Sequence, residues 1–522
     1  MRARNSARGS NAVDTLPHPT PLSPQVRQSA HAALAGLLAQ IDRLPPEDFS
    51  ARLNLRVIIP VLLSQMERSK QKFTRVTAAD WVSRCLGLGR TRLAPWYPLL
   101  AGALLGDLAD TDSELVRDLA KANTDLMLLV RATPRVELDA EEFLPPSPPE
   151  ATTEAIGAAP PAPGGRGGSA IQGLLRAVSA NLCASDHLTR SAALRWLSML
   201  LLQLPDAVVA ETDALLTALL GNLTDTGDPE VLKLNLEVLA RLATTDPSWT
   251  LLRKRILVGL VALFGEQRGL LEAKAAFIVR RLCLLLNPSV VYLGLADILH
   301  AEGNKEFAAL LVELLNLILL TSAELSDFRD SLRGCAAAGG GGEGAAVFTE
   351  LFRTWVVNPI ASISLCLLAH AYTLASRLVV RVHDMQVTVG LLMQLDKLVQ
   401  LLESPVFLDA RLGLLRPRSG DCQALLTTLY GLLMILPQGT AYATLKDRLA
   451  AVGNLHVAQG LLGAGAGAEA PPPPIDVDAA EAIFAESQAL FRSALSQEIK
   501  ARSVVAAPGG GGAPVEPPPA AS

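Results

Sequence analysis

Apolar side chains along most of this chain recur at steps of three and four residues, the period of one face of an α-helix. In the stretch 391–407, LLMQLDKLVQLLESPVF, the apolar face carries Leu391, Leu395, Leu398 and Leu402. The polar face carries Asp396, Lys397, Gln400 and Glu403. Ser404 followed by Pro405 predicts the end of this helix and the start of another, with Ser404 as its N-cap. The pattern therefore predicts a helical hairpin, with the charged residues on its solvated face.

Related helices recur at a fixed interval. TRVTAADW (74–81) and TRSAALRW (189–196) share T-R-x-x-A-x-x-W, and further helices are predicted near Glu114, Glu230 and Glu272. The spacings of 40, 41 and 42 residues, with two helices to a unit, indicate HEAT or armadillo repeats. Asp228-Pro229-Glu230 has the composition of a helix start. We therefore predict an all-α fold, an α-solenoid of HEAT- or armadillo-like hairpins in which each hairpin buries its apolar face against the next.

Tracts rich in Pro, Gly and Ala interrupt this pattern and suggest the domain boundaries. We expect disordered tails at 1–24 and 504–522, linkers at 133–168 and 456–474, and a Gly/Ala loop at 334–346. Between them we expect HEAT-like repeats at 25–132 and 169–333, a C-terminal helical domain at 347–455 and a terminal amphipathic helix at 475–503.

Composition narrows the possible functions. Half of the 522 residues are hydrophobic but only 4% are aromatic, which favours helices over sheets. The net charge of −5, without a basic block, argues against nucleic-acid binding. The longest apolar runs, 309–320 and 424–437, are shorter than a bilayer requires. Six scattered cysteines without a CxxC pair predict reduced thiols in a cytosolic protein, and the N-terminus lacks the apolar core of a secretory signal.

No motif in the sequence predicts catalysis. The glycine tracts lack the Lys-Ser/Thr of a phosphate loop, and neither a nucleophile elbow nor a zinc pair is present. The seven histidines are scattered, and His187, His300 and His370 fall near predicted helix ends. We expect no enzyme activity, no cofactor and no metal. Trp81 and Trp196, at matching repeat positions, are predicted to be inter-repeat core, with an aromatic peptide-binding groove as the alternative.

Longer segments resemble a known family. Four stretches, in order, are similar to the C-terminal region of the vacuole morphology and inheritance protein fourteen family: LNLILLTSAELSDFRDSLR (315–333), LFRTWVVNPIASISLCLLAHAYTLASRLV (351–379), VTVGLLMQLDKLVQLLESPVFLDARLGLL (387–415) and LYGLLMILPQGTAYATLKDRL (429–449). Upstream, IVRRLCLLL (278–286) and LTRSAALRWLSMLLL (188–202) also look like that family, and ELVRDLAKANTDLMLLV does so more weakly. The resemblance covers residues 170–455 well and 50–130 weakly.

The resemblance implies a HEAT-repeat scaffold without catalysis of its own. Such proteins hold together a phosphatidylinositol 3-phosphate 5-kinase and a Sac-type phosphoinositide 5-phosphatase, and so control phosphatidylinositol 3,5-bisphosphate on vacuole and late endosome membranes. It also implies self-association into a star-shaped oligomer, with a pentamer expected, and peripheral, indirect membrane association. The family's further N-terminal repeats have no counterpart before residue 50, so we expect kinase binding to be affected more than phosphatase binding. The alternative is a HEAT transport receptor or coat adaptor unrelated to phosphoinositides.

Candidate partner contacts follow from the hairpin pattern and the resemblance. They are Trp355, Asn358, Asp396, Lys397, Glu403 and Tyr430. Trp355 lies at a corner where Asn358-Pro359 ends a helix, and core is its alternative role. The terminal helix is expected to place Ile483, Phe484, Leu490, Phe491 and Leu495 roughly along one side, and either to pack on the array or to join protomers.

Overall fold

The computed structural model describes residues 54–67, 70–138, 170–224, 228–245, 250–333, 343–416, 419–461 and 475–505, with a few helical positions between 29 and 40. Within these residues every regular element is a helix, so the predicted all-α fold class is confirmed. The predicted N-terminal tail lies outside the described residues, and so do most of the two linkers, the Gly/Ala loop and the C-terminal tail. Residues 504 and 505 of that predicted tail are helical. The chain divides into two compact units, Met1–Val238 and Leu239–Ser522, with the division inside a helix.

The helices of the first unit are numbered along the chain. They are α1 (Leu55–Met66), α2 (Lys72–Gly89), α3 (Tyr97–Asp107), α4 (Ser113–Ala132), α5 (Arg135–Leu138), α6 (Ala170–Leu182), α7 (His187–Gln203), α8 (Pro205–Ala210), α9 (Thr212–Thr224) and α10 (Pro229–Thr245), which continues into the second unit. They stack in two layers, with α1, α3, α6 and α9 in one and α2, α4 and α7 in the other. Contacts within each layer join successive hairpins, as in HEAT-type repeats.

The second unit continues the same numbering. Its helices are α11 (Thr250–Glu266), α12 (Arg268–Leu285), α13 (Pro288–Ala301), α14 (Lys305–Thr321), α15 (Ser326–Arg333), α16 (Glu343–Trp355), α17 (Pro359–Leu368), α18 (Tyr372–His383), α19 (Val389–Leu402), α20 (Leu408–Gly413), α21 (Gly420–Ile435), α22 (Thr440–Leu461) and α23 (Val477–Val505). Here α11, α13, α16, α18 and α21 form the first layer. The second layer is formed by α12, α14, α17, α19 and α22.

The arginine shared by the two T-R octads has the same structural role in both. Both octads lie in second-layer helices, α2 and α7, and their arginines bond carbonyls of the preceding corner. Arg75 Nε donates to Met66 O at 2.9 Å, and Arg190 Nη1 donates to Ala184 O at 3.2 Å. The last carbonyls of a helix lack partners within it, so these guanidinium groups satisfy acceptors that would otherwise be unpaired.

Two predicted helix starts have different outcomes. Asp228 caps α10 as expected, because its Oδ1 accepts from the backbone N–H of Glu230 at 2.8 Å. Ser404 occupies the predicted N-cap position, with Pro405 first in the next helical turn, but its side chain makes no capping hydrogen bond. Its hydroxyl donates back to Leu401 O, and Pro405–Phe407 is a 3₁₀ turn that precedes α20. The corner carbonyls are instead bonded by Arg411, whose Nη1 donates to Leu402 O and Ser404 O.

No single helix among the described residues has the length and hydropathy to cross a bilayer. One pair passes that test only jointly, Lys305–Thr321 with Ala323–Arg333, and the two are bent by 85°.

Two first-layer helices of the second unit approach each other closely at a glycine. A Cβ on Gly431 of α21 would lie 2.3 Å from Val379 Cγ1 of α18. Val379 is buried, and its β-branched side chain cannot easily turn away. Gly431 therefore sets the spacing of these two first-layer helices.

We expect Gly431→Ala to destabilise the second unit by about 1–3 kcal/mol, because overpacking exceeds the helix-propensity gain of alanine. Gly453→Ala in α22 is the matched control, since nothing lies within 4 Å of a Cβ there. It should be neutral or slightly stabilising. Urea denaturation of the two variants measures the difference, and equal stability would contradict the close-packing argument.

Candidate partner-binding site

A shallow polar groove lies in the second layer of the second unit, between α14, α17 and α19. Its cavity volume is about 40 Å³. Its polar lining consists of Glu313, Asn316, Asn358, Ser364, Gln394 and Lys397. The other half of its lining is apolar and consists of Leu317, Leu320, Ile360, Ala361, Leu398 and Leu401.

At the floor of the groove, an asparagine joins three helices. Asn316 Oδ1 accepts from Trp355 Nε1 of α16 at 3.4 Å and from Ser364 Oγ of α17 at 3.0 Å. All three side chains are buried. The first unit contains a related pair, in which Trp196 Nε1 of α7 donates to Asn123 Oδ1 of α4 at 2.8 Å. In both units an asparagine on a second-layer helix therefore accepts a hydrogen bond from a tryptophan indole on a helix later in the chain.

At the mouth of the groove lies a half-buried carboxyl group. Glu313 Oε2 accepts from Gln394 Nε2 at 2.5 Å, and Lys397 is its nearest opposing charge. Burial raises the pKa of Glu313, against the lowering effects of Lys397 and of the Gln394 hydrogen bond. The groove thus combines a poorly solvated carboxyl group, that of Glu313, with an exposed cation, Lys397, which lies one turn beyond Gln394 on α19.

Trp355 and Asn358 are too deeply buried to make the partner contacts predicted for them. Trp355 is fully enclosed, with its ring centroid 6.3 Å from that of Tyr292. Asn358 is buried as the N-cap of α17, where its Oδ1 accepts from the backbone N–H of Ala361 at 3.1 Å. Both therefore stabilise the corner between α16 and α17, and a partner could not reach them in this structure.

The other predicted contacts are accessible but do not form one cluster. Lys397 is exposed and Asp396 is half-buried, accepting from Gln400 Nε2 at 2.7 Å. Glu403 pairs with Arg448 of α22, whose Nε donates at 3.0 Å. Tyr430 is 49% exposed, but it lies on α21 in the first layer. The structure therefore separates Tyr430 from the residues on α19.

The predicted core positions are buried to different degrees. Leu395, Leu398 and Leu402 are buried, and so is Trp196. Leu391 and Trp81 are only partly covered. Leu391 lies in the first turn of α19, where Thr388 caps its backbone N–H.

Sequence reasoning missed an exposed apolar stripe beside the groove. Val389 and Met393 of α19 are 75% and 70% exposed, and Met393 adjoins the groove residue Gln394. The 3.6-residue period of the helix places both residues on its polar side. Apolar residues on a side that should be polar were the sequence signal for this exposed stripe.

The described residues do not bring three or more His, Cys, Asp or Glu side chains together as a metal site. Stacked hairpins, a shallow groove and an exposed apolar stripe define a helical-repeat protein of the HEAT type, a class that binds other proteins along its layers.

Comparison with known proteins identifies the family. The family described as "Vacuolar protein 14 C-terminal Fig4p binding" matches residues 268–452. "Protein VAC14 homolog" of Arabidopsis thaliana is 35% identical over 431 residues, which are 82% of this chain and 51% of the relative. "Protein VAC14 homolog" of Schizosaccharomyces pombe is 37% identical over 279 residues, covering 53% of this chain and 33% of that protein.

"Vacuole morphology and inheritance protein 14" of Saccharomyces cerevisiae is 27% identical over 406 residues, 78% of this chain and 41% of the relative. These matches, which extend over most of the chain, support membership of the VAC14 family. It spans about half or less of the length of these curated relatives.

The hydrogen bond between Asn316 and Trp355 predicts that substitutions at these two residues have non-additive effects on stability. Asn316→Leu should destabilise the second unit by about 1–3 kcal/mol, because it leaves the buried Trp355 N–H without an acceptor. In the Trp355→Phe background the same change should cost less, since no indole donor remains. A double-mutant cycle in urea, followed by circular dichroism, measures the coupling. Additive effects would contradict the hydrogen-bonded role of Asn316.

The raised pKa of Glu313 predicts a pH-dependent effect. The Glu313 carboxyl binds its proton more tightly in the folded chain than in the unfolded chain. Ionisation of Glu313 therefore lowers the free energy of unfolding, and this loss grows as pH rises through the folded-state pKa. Glu313→Gln should therefore melt above the wild type near about pH 7.5, with a gap that narrows toward about pH 5.

Thermal denaturation across this pH range measures the gap. Glu266→Gln, at the exposed end of α11, reports the general effect of removing one carboxylate. A Glu313→Gln gap that widens toward low pH would contradict the burial argument.

Proposed function

We propose that this chain is a non-catalytic scaffold of phosphatidylinositol 3,5-bisphosphate metabolism at the vacuole or endolysosome surface. The observation that carries the proposal is the match of residues 268–452 to a family described by its Fig4p binding. These residues all lie in the second unit, which contains the groove and the apolar stripe. We take its partner to be a Sac-type phosphoinositide 5-phosphatase.

The physical basis of the proposal is proximity. A rigid array that holds two enzymes raises the concentration of each near the other without any new chemistry. We propose a phosphatidylinositol 3-phosphate 5-kinase as the second enzyme, and self-association of the chain as the means of bringing several copies together. Peripheral, indirect membrane association through these partners is part of the same proposal. The relatives' names, which refer to the vacuole, support the location.

We propose the α19 surface as the contact for the phosphatase. Val389, Met393 and Lys397 follow one another at four-residue steps along an exposed line on this helix, and the groove lies beside its last turns. A few residues that become buried on binding usually dominate the binding energy, and Met393 is the largest exposed apolar side chain on this line. Lys397 at the rim can align an acidic group of the partner, although an exposed charge alone contributes little affinity.

Two exposed methionines provide a matched test. Met393→Glu on α19 should weaken co-purification of the Sac-type phosphatase by about tenfold or more, because a charge would be desolvated in the contact. Met434→Glu on α21 is the control. Met434 is 75% exposed, like Met393 at 70%, but lies in the other layer.

The measurement is co-purification of the tagged full chain with the phosphatase from the same cells, with both partners shown to be folded. Loss of binding in Met434→Glu but not in Met393→Glu would contradict the assigned surface. Absence of the phosphatase from the wild-type sample would contradict the function itself.

A further inference from the structure

The last helix of the chain fills a gap in the first layer. Along this layer α11 packs on α13, α13 on α16, and α18 on α21, while α23 packs on both α16 and α18. α23 begins after residues 462–474 and lies beyond the family match at 268–452. A segment from the end of the chain therefore occupies the groove between two helices of the repeat array.

The groove and the helix have opposite charges. The groove side of α18 presents Arg377 and Arg381, and the first turns of α23 present Asp478 and Glu481. Arg381 Nη2 lies 2.8 Å from Glu481 Oε1, and Arg377 pairs with both acids. From 475 to 490 the chain has four acidic residues and no basic one.

One directional hydrogen bond adds specificity. Gln488 Nε2 of α23, itself buried, donates to Val356 O at 2.6 Å. Val356 follows the last residue of α16, where carbonyls lack partners within the helix. Phe484, one turn before Gln488, is the large apolar anchor and is fully buried. The docking face is therefore Ala480, Phe484 and Gln488, whereas the expected face included Leu490, which is 63% exposed.

This helix is held less firmly than its neighbours. Among its described side chains, which end at Leu490 apart from Ser493, only Ala480 and Phe484 are buried apolar groups. α18 buries six residues, Tyr372, Leu374, Ala375, Leu378, Val379 and Val382. The ion pairs that hold α23 are partly solvent-exposed, and exposed pairs are weak and screened by salt. Opening of α23 should therefore require less free energy than opening of the array.

We propose that the groove between α16 and α18 is a receptor site for an acidic amphipathic helix, and that α23 is its tethered, exchangeable occupant. The site takes a helix with acidic residues at positions i and i+3, a large apolar residue at i+6 and a glutamine at i+10, counted from Asp478. A partner protein that carries such a helix competes with α23 for the groove. Because only the fifteen residues 462–476 join α22 to α23, the released helix stays close and rebinds unless the competitor exceeds its high local concentration.

The test uses the full chain and, as a probe, a fluorescein-labelled peptide of residues 475–505. In one variant Phe484→Ala and Gln488→Ala weaken the resident helix and leave the groove intact. In a second, Asp478→Lys and Glu481→Lys repel the helix from Arg377 and Arg381 without altering the core. Both variants should bind the peptide at least about tenfold more tightly than the wild-type chain, where the tethered helix competes. Binding should weaken as salt is raised.

Two controls distinguish the groove from other surfaces. Leu490→Ala changes an exposed residue of the same helix and should behave as the wild type. Adding Arg377→Glu and Arg381→Glu to the Phe484→Ala, Gln488→Ala chain should abolish binding of the natural peptide, and a peptide with Asp478→Arg and Glu481→Arg should restore it. The proposal is overturned if neither released variant binds the peptide, if the wild type binds it equally well, or if reversing the groove charges has no effect.

Discussion

A helix without a polar face persists in water only when its neighbours cover it on every side, and α17 is such a helix. Every residue from Ile360 to Leu368 is buried. Its coverage comes from α14 and α19 in its own layer and from α16 and α18 in the other. None of these hairpins can bury its apolar flank alone, so the second unit is stable only as a stack. The groove, the exposed stripe and the seat of α23 all lie on the helices that surround α17.

Apolar contact alone does not fix how such helices slide past one another, and buried polar groups supply that register. Asn316 joins α14 to α16 and α17, and Asn123 joins α4 to α7 in the first unit. A slip by one turn would leave an indole donor and a carboxamide acceptor buried without partners. The desolvation penalty of these unpaired groups exceeds the net stabilisation that their hydrogen bond provides. Satisfied polar groups inside the stack therefore select one arrangement of the hairpins.

Much of the second unit could be predicted from sequence, because helical period, caps and repeat spacing are local signals. Residues 391–402 are an example there, and the Asp228 cap is one in the first unit. Other features depended on tertiary contacts that no local pattern contains. The Trp355 indole donates to Asn316, 39 residues away, and the Ser404 hydroxyl donates to Leu401 O rather than accepting from a backbone N–H of the next turn. The docking face of α23 includes Gln488, a polar residue that apolar periodicity cannot identify.

The central claim is that α17 is held by the whole stack, whereas α23 is held by one weak contact surface. Native-state hydrogen exchange of the full chain, read by mass spectrometry for both helices, tests this most directly. We expect the α17 amides to exchange only through unfolding of the second unit, and the α23 amides to exchange much faster and in a salt-dependent way. Equal protection of the two helices, or exchange of α17 through a small local opening, would contradict the account.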